Sequence, residues 1–387
     1  MVAGETPLPT WHPTERIAPH PKELTPGMPR PRLLFPPPAI LKDTAAMFPD
    51  FFGNADAASA LFALTQQERL PQTILLDGPE GIGKATLARR FGAALLGCGD
   101  KIEQDDLSLA ANTAAIADRE KWTADKRNED PLLFATHPDF VTFGPDGPLR
   151  QISIQQMRLL KDHARLNPLH GSRRVFLIDH IDRANEQAAN SLLKTLEEPP
   201  PHLILFLTAE NPYDLLPTIR SRAISFHLSP LADEDMEAFA RARGLDDPQR
   251  RIALADGSPG LAASLDLEAY DQRCGSMLKL LEVASGRAPF SAWLRDAESI
   301  SSRRDKLDAY LGVLYVLLED VLLIREHPER VRNRDLVDRL AKLADAVSFD
   351  WLHAAVRRVD ELSELVRRNI QKSIALDAFA MELRGLA

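Results

Sequence analysis

The sequence predicts an α/β fold, with a parallel sheet in the first part of the chain and helices alone after it. Short apolar runs typical of buried strands alternate with segments of helical spacing up to about residue 227. One of these runs, Thr73–Asp77, leads directly into a glycine-rich loop and then a helix. Beyond residue 227 no further strand pattern follows, and apolar residues recur at helical spacing.

The predicted strands are short and apolar on both faces, as expected where helices cover both sides of a sheet. They lie at residues 73–77, 139–143, 174–179, 203–208 and 223–226. Predicted helices lie at residues 55–67, 85–96, 107–120, 155–166, 185–196 and near 212–220. Residues 99–130 are polar and charged, and we interpret this segment as an insertion.

Four segments are predicted along the chain. Residues 1–46 form a Pro-rich leader, because 11 of the 29 prolines lie between Pro7 and Pro38 and proline disrupts regular hydrogen-bonded structure. The strand-containing unit follows at 47–228, then a small helical unit at 229–286 and a helical bundle at 287–387. Apolar stripes support the bundle, and their members are Leu307, Leu311, Leu314, Leu318, Leu352, Val356 and Val359.

Composition excludes several classes of protein. The net charge of −9 argues against binding nucleic acid by bulk charge. The two cysteines, Cys98 and Cys274, are too few for a disulfide scaffold or a cysteine-rich zinc site and favour a cytoplasmic location. Prolines interrupt any signal-peptide pattern, and acidic residues interrupt the most apolar later stretch. We therefore expect neither secretion nor a membrane span.

The loop after the first strand has the spacing of a phosphate-binding loop, Gly78-x-x-x-x-Gly83-Lys84. Glycines let backbone N–H groups surround phosphates, and the lysine ammonium reaches the outer ones. The motif continues with Ser or Thr as a Mg²⁺ ligand, but Ala85 has no hydroxyl, so we doubt Mg²⁺ binding. ATP binding is the leading interpretation, and a glycine turn without a ligand is the alternative.

A second acidic position is expected at the end of a neighbouring strand, and Asp179 supplies it as the Walker B candidate. His180 follows where hydrolysing enzymes usually carry a glutamate, and imidazole is a poor substitute; Asp182 is an outside candidate. The predicted nucleotide-binding residues are Gly78, Gly81, Gly83, Lys84, Thr86 and Asp179. No metal-ligand site is predicted.

Taken together, these motifs resemble those of the delta-prime subunits of the bacterial DNA polymerase III clamp loader, a family of AAA+ proteins. The matching segments occur in family order at residues 52–54, 76–84, 137–139, 190–199 and 215–222. The resemblance covers about residues 47–262 by motif and the remainder only by layout.

This resemblance implies a RecA-like AAA+ domain at 47–228, a helical lid at 229–286 and a C-terminal helical collar at 287–387. It implies a stator in a hetero-pentamer with the delta and gamma or tau subunits, which loads the sliding clamp on primed DNA at the expense of ATP. Polymerase activity would reside in another subunit. Ser221-Arg222 looks like the pair whose arginine acts in trans, as a finger, on ATP bound to the next subunit.

Other positions depart from the family pattern. The expected sensor position falls on Ala209 and Glu210, with Thr208 a weaker candidate, and Gly260 replaces a second sensor arginine. The four zinc-binding cysteines of many members are reduced to Cys98, so no zinc is expected. Because hydrolysis needs a metal, a base and sensors together, we predict little ATPase by this chain alone.

Three alternatives stay open at this stage: a hydrolysing motor of the gamma or tau kind, a P-loop kinase, and a scaffold without a nucleotide site. Ala85 counts against the motor, and the helical tail counts against the kinase. Candidate DNA-contacting residues are Arg158, Lys161, Arg173 and Arg174.

Overall fold

The computed structural model of the protein describes residues 51–66, 70–302, 307–366 and 371–385. The expected leader at 1–46 lies outside these residues. No helix in the described part of the chain combines the length and apolar character that a membrane span needs.

Five parallel strands form one sheet in the order β2-β3-β4-β1-β5. They are β1 Thr73–Asp77, β2 Phe140–Phe143, β3 Arg174–Ile178, β4 Leu203–Ala209 and β5 Ile224–His227. All five predicted strands are therefore confirmed to within one residue at each end. The strand that precedes the glycine loop, β1, lies between β4 and β5. The loop therefore lies at the carboxyl edge of the sheet, with a strand on each side.

Helices account for most of the remaining described chain. In order they are α1 Ala55–Gln66, α2 Lys84–Leu96, α3 Gly99–Glu103, α4 Ala110–Arg119, α5 Ala124–Glu129, α6 Ile154–Ala164, α7 Glu186–Glu197, α8 Pro217–Arg220, α9 Asp233–Arg243, α10 Pro248–Ala255, α11 Pro259–Ser264, α12 Leu267–Ala284, α13 Leu294–Ser302, α14 Leu307–Glu326, α15 Val337–Ala346, α16 Phe349–Val366 and α17 Lys372–Arg384. The predicted helix near 212–220 is divided into a 3₁₀ turn, Pro212–Asp214, and the short α8.

Each face of the sheet has its own apolar cluster, because alternate strand residues point to opposite sides. On one face Leu76 and Phe206 pack with Phe91 of α2. On the other, Leu75 and Leu205 are buried with residues of α6 and α7. All residues of β1 to β4 are buried, as predicted from their uninterrupted apolar runs, whereas the edge strand β5 is largely exposed.

A third apolar cluster joins the C-terminal helices. It includes the stripe on α14 and residues along most of α12, such as Tyr270 and Leu281. The predicted boundary at 286 falls after α12, whereas by packing this helix belongs with those that follow it. The prediction that Val356 lies in the core is wrong, because its side chain is 36% exposed while Leu352 and Val359 of the same helix are buried.

The insertion at 99–130 folds as three short helices, of which the sequence predicted only α4. The buried Arg119 holds this segment to the sheet domain. Its guanidinium donates to Asp146 at 2.8 Å and lies over the indole ring of Trp122, 4.5 Å from the ring centroid. Arg89 of α2 makes a second tie to Glu103 at 3.2 Å.

Candidate nucleotide site and interface arginine

The glycine loop connects β1 to α2 in a conformation that needs its glycines. Gly78, Gly81 and Gly83 all have positive φ, at 142°, 72° and 101°. Gly83 precedes the first residue of α2, so the loop presents backbone N–H groups at the N-terminus of that helix. This backbone fits a phosphate group.

Lys84 is folded back into the loop that it follows. Its Nζ donates to the carbonyl oxygens of Gly78 and Pro79, both at 2.7 Å. The side chain is buried, and this burial lowers the pKa of Lys84 although four carboxylates oppose the shift. They belong to Glu210, Asp179, Asp182 and Glu80. The ammonium is therefore held by the protein at the position where a phosphate would need it.

The lid helix α11 begins directly on the loop. Ser258 Oγ donates to the Glu80 carbonyl at 2.9 Å, and the Gly260 N–H donates to the Gly81 carbonyl at 2.8 Å. A Cβ at position 260 would lie 2.8 Å from the Gly81 carbonyl oxygen, so any larger residue would disturb this contact. Gly260 stands where the resemblance places a sensor arginine, and here the position serves close packing.

Asp179 follows β3 and is tied to the neighbouring strand. Thr208 Oγ1 donates to Asp179 Oδ1 at 2.6 Å and accepts from the His180 N–H at 2.8 Å. Thr208, the weaker sensor candidate, thus orients the Walker B candidate. Asp182 and Glu210 lie at the same edge of the sheet, and burial raises the pKa of Asp182.

The donors that a magnesium-bound nucleotide would need are incomplete. Ala85 offers no hydroxyl, and the neighbouring hydroxyl of Thr86 accepts a hydrogen bond from Arg89 at 3.4 Å. P-loop proteins usually hold Mg²⁺ with a hydroxyl at the position of Ala85 and with the Walker B aspartate, and only the aspartate, Asp179, is present here. The loop therefore fits phosphate, whereas the side chains around it do not fit Mg²⁺ in the usual position.

Arg222 lies on the surface just after α8. Its Nη1 donates to the Thr218 carbonyl at 2.9 Å, and its Nη2 donates to Glu197 Oε1 at 2.8 Å. Its side chain remains 33% exposed. The sequence assigned no role to Glu197, because 25 residues separate it from Arg222 and only the fold joins them.

The proposed DNA-contacting side chains differ in accessibility. Arg174 is buried and donates to the carbonyl oxygens of His163 at 2.7 Å and Pro138 at 3.0 Å, so its selection as a DNA contact was wrong. A charged group that is buried must be paired, and the buried carboxylate of Asp139, 3.5 Å from Arg174 Nε, pairs with this guanidinium while the carbonyls accept from its Nη atoms. Arg158 remains exposed on α6.

Comparison with known proteins decides the family. The chain is 34% identical to the DNA polymerase III subunit delta' of Pseudomonas aeruginosa over 329 residues, which cover 81% of this chain and 91% of that protein. The chain belongs to the DNA polymerase III delta-prime family. It is therefore a clamp-loader subunit of the DNA replication machinery. The P-loop kinase and the gamma or tau motor are not favoured.

The chain is also similar to other proteins. The delta' subunit of Bacillus subtilis is 26% identical, over 68% of this chain and 76% of that protein. A family model described as DNA polymerase III, delta subunit, matches residues 53–232. A gamma subunit-related protein of Thermotoga maritima has a TM-score of 0.41 at 18% identity, covering 84% of this chain and 98% of that one. The predicted α/β architecture is confirmed, because the described chain has a five-stranded parallel sheet followed by helical C-terminal elements.

Proposed function

We propose that this delta-prime family member is the stator of its clamp loader: it hydrolyses little ATP itself and offers Arg222 to ATP bound by a neighbouring subunit. The contrast between Arg222 and Lys84 carries this proposal. Arg222 is exposed and donates three hydrogen bonds to surface groups, whereas Lys84 is buried and bonded within its own loop. A guanidinium suits the task because it stays charged and can bridge phosphate oxygens.

Three features support a low rate of hydrolysis at this chain's own loop. Ala85 leaves Mg²⁺ without its hydroxyl ligand, His180 stands in place of the usual glutamate, and Gly260 carries no charge to sense a γ-phosphate. The loop fits phosphate, so we propose that it binds ATP weakly and without Mg²⁺. We further propose that the protein lacks the cysteine-bound zinc of many family members, because only Cys98 remains in that segment.

The proposed partners are the delta and gamma or tau subunits, the sliding clamp and, through the assembled complex, primed DNA, all in the cytoplasm. Co-purification of the tagged full chain with these proteins tests the assembly. Recovery of delta and gamma or tau in a fixed ratio is expected. Failure to recover either one would contradict the stator role.

ATP turnover by the purified subunit tests the rest of the proposal. We expect a rate at least tenfold below that of the motor subunit under the same conditions, because metal, base and sensor positions are all altered. The matched variant is Lys84→Ala, which should leave the residual rate unchanged. A rate equal to the motor's that disappears in Lys84→Ala would instead identify this chain as a motor.

Equilibrium binding of labelled ATP separates the stator that holds nucleotide from a scaffold without a nucleotide site. Weak binding that Lys84→Ala abolishes is expected. If no binding occurs at millimolar ATP, the loop serves only to pack against the lid helix α11.

A further inference from the structure

Three metal-ligating side chains meet at the carboxyl edge of the sheet, in positions that the sequence did not connect. His180 follows β3, Asp182 lies in the next 3₁₀ turn, and Glu210 follows β4. One donor atom from each lies within 4.8 Å of the other two. Because β3 and β4 are parallel neighbours, their carboxyl ends bring together residues that are 28 to 30 positions apart in the chain.

Two polar atoms in this cluster of side chains lack the hydrogen bonds that buried polar atoms normally make. His180 Nδ1 and Asp182 Oδ1 are inaccessible to solvent, and neither has a hydrogen-bond partner among the described residues. His180 Nδ1 lies 3.7 Å from Glu210 Oε1, which is too long for a hydrogen bond. An imidazole nitrogen and a carboxylate oxygen that are inaccessible and unpartnered, in side chains whose donor atoms lie within 4.8 Å of one another, are what a bound cation would satisfy.

The cations already present nearby do not satisfy these atoms. Lys84 is within electrostatic range of Asp182 and Glu210, but its ammonium donates to two loop carbonyls instead. Arg183 Nη2 donates to Glu210 Oε1 at 3.3 Å and so orients that carboxylate from outside the cluster. Neither Lys84 nor Arg183 donates a hydrogen bond to Asp182.

We propose that His180, Asp182 and Glu210 bind a divalent transition-metal ion of the Zn²⁺ type. One imidazole nitrogen with two carboxylates suits Zn²⁺ better than Mg²⁺, which prefers oxygen ligands alone. Metal–ligand bonds of about 2.1 Å would place the donor atoms closer together than they now are. Side-chain movements of roughly 1 Å would achieve this. Three protein ligands leave a fourth position for water.

This site is distinct from the magnesium position of P-loop proteins, which uses the hydroxyl after the lysine and the Walker B aspartate. It uses neither Ala85 nor Asp179. It also needs no nucleotide, so it can be tested independently of the proposed stator role. The ion would join β3 to β4 beside the loop that holds the lid.

Calorimetric titration of the full chain with Zn²⁺, after removal of metal by a chelator, tests the proposal. We expect one equivalent to bind, and His180→Asn and Asp182→Asn each to weaken binding at least about 100-fold, since loss of an outer-shell partner alone often costs 10–100-fold. His180 has φ 57°, and asparagine tolerates this left-handed conformation. Asp182→Asn keeps the size of the side chain.

Two controls make the result decisive. His353→Asn removes an exposed histidine of α16 and should leave Zn²⁺ binding unchanged. Glu210 is more exposed than His180, so Glu210→Gln should disturb folding less. This variant therefore provides the same test if the other two unfold. Co²⁺ in place of Zn²⁺ should give visible absorption bands that the ligand variants lose. Absence of stoichiometric binding, or equal affinity in the ligand variants and His353→Asn, would overturn the proposal.

Discussion

The phosphate loop and the Arg222 surface differ in how their charged groups are held. Lys84 is buried and bonded to the carbonyls of its own loop, and the lid is seated on that loop through Ser258 and Gly260. Arg222 has an exposed guanidinium whose partners are one backbone carbonyl, the Ser221 hydroxyl and one half-exposed carboxylate. Under the proposed stator role, Arg222 has to stay accessible so that it can reach a neighbouring subunit, whereas Lys84 acts only within its own loop.

This difference shows that a sequence motif does not reveal how the fold holds the charged side chain of that motif. The Gly-x-x-x-x-Gly-Lys spacing is present, yet its lysine ammonium already has two acceptors. An ammonium has three N–H donors, so one remains for a phosphate, and only a ligand that needs more than one must replace an existing hydrogen bond, an exchange that returns a small net free energy. At Arg222 the ion pair to Glu197 is exposed and therefore weak, so the arginine can exchange it at little cost.

The largest effect is expected for Arg222→Ala in the assembled clamp loader. ATP turnover at the neighbouring site should fall on the order of 10³-fold, the lower end of the range for arginine fingers. Assembly, measured by size-exclusion chromatography, should be unchanged because the side chain is exposed. The matched control is Arg220→Ala, which removes a guanidinium that instead stacks on Tyr213, 4.9 Å from the ring centroid.

Loss of assembly with normal turnover per complex would make Arg222 a structural residue and would remove the contrast with Lys84. Equal losses of turnover in Arg222→Ala and Arg220→Ala would also contradict a finger role, because the second side chain is held within its own subunit.

Gly81→Ala should lower the free energy of unfolding by about 2 kcal/mol, measured by urea denaturation. Gly81 has φ 72°, and an added Cβ would lie 2.4 Å from Ser258 Oγ and 2.9 Å from the Leu261 nitrogen. Gly171→Ala is the control, since it has φ 77° and no atom within 4 Å of the added Cβ. If both variants lose the same free energy, the lid contact contributes nothing beyond backbone strain.

Ser258→Ala should cost about 1 kcal/mol, because Ser258 caps α11 and also holds the loop. Its Oγ accepts from the Leu261 N–H at 3.2 Å and donates to the Glu80 carbonyl at 2.9 Å. Hydrogen exchange should become faster in residues 78–83 as well as in α11. Ser264→Ala, at the exposed other end of the helix, should change neither; faster exchange confined to α11 would mean that the lid and the loop are not coupled.

The smallest effect is expected for Glu197→Gln, which keeps the side chain's size but removes its charge. Because the ion pair to Arg222 is exposed, we expect a two- to threefold change in turnover of the assembled loader, with Glu198→Gln as the neighbouring control. A loss as large as that of Arg222→Ala would mean that Glu197 positions the arginine and that the guanidinium is less independent than its exposure indicates.

Much of the sheet domain could be predicted, because local pattern decides its strands and its loop. Strands buried on both faces need continuous apolar runs, and the sequence has such runs at the observed positions of β1 to β4. The glycine spacing likewise predicted a loop whose backbone requires positive φ at Gly78, Gly81 and Gly83. The short helices α3 and α5 gave no comparable signal, because each spans only a turn or two.

The sequence by itself therefore determined the positions of the strands along the chain, the phosphate-type loop, the missing hydroxyl at Ala85 and the Ser221-Arg222 pair. Only the tertiary structure decided that Arg174 is buried, that Gly260 rests on Gly81, and that His180, Asp182 and Glu210 share one edge of the sheet. The physical reason is range: backbone geometry and apolar periodicity act over a few residues, whereas these contacts join side chains whose separation in sequence carries no signal.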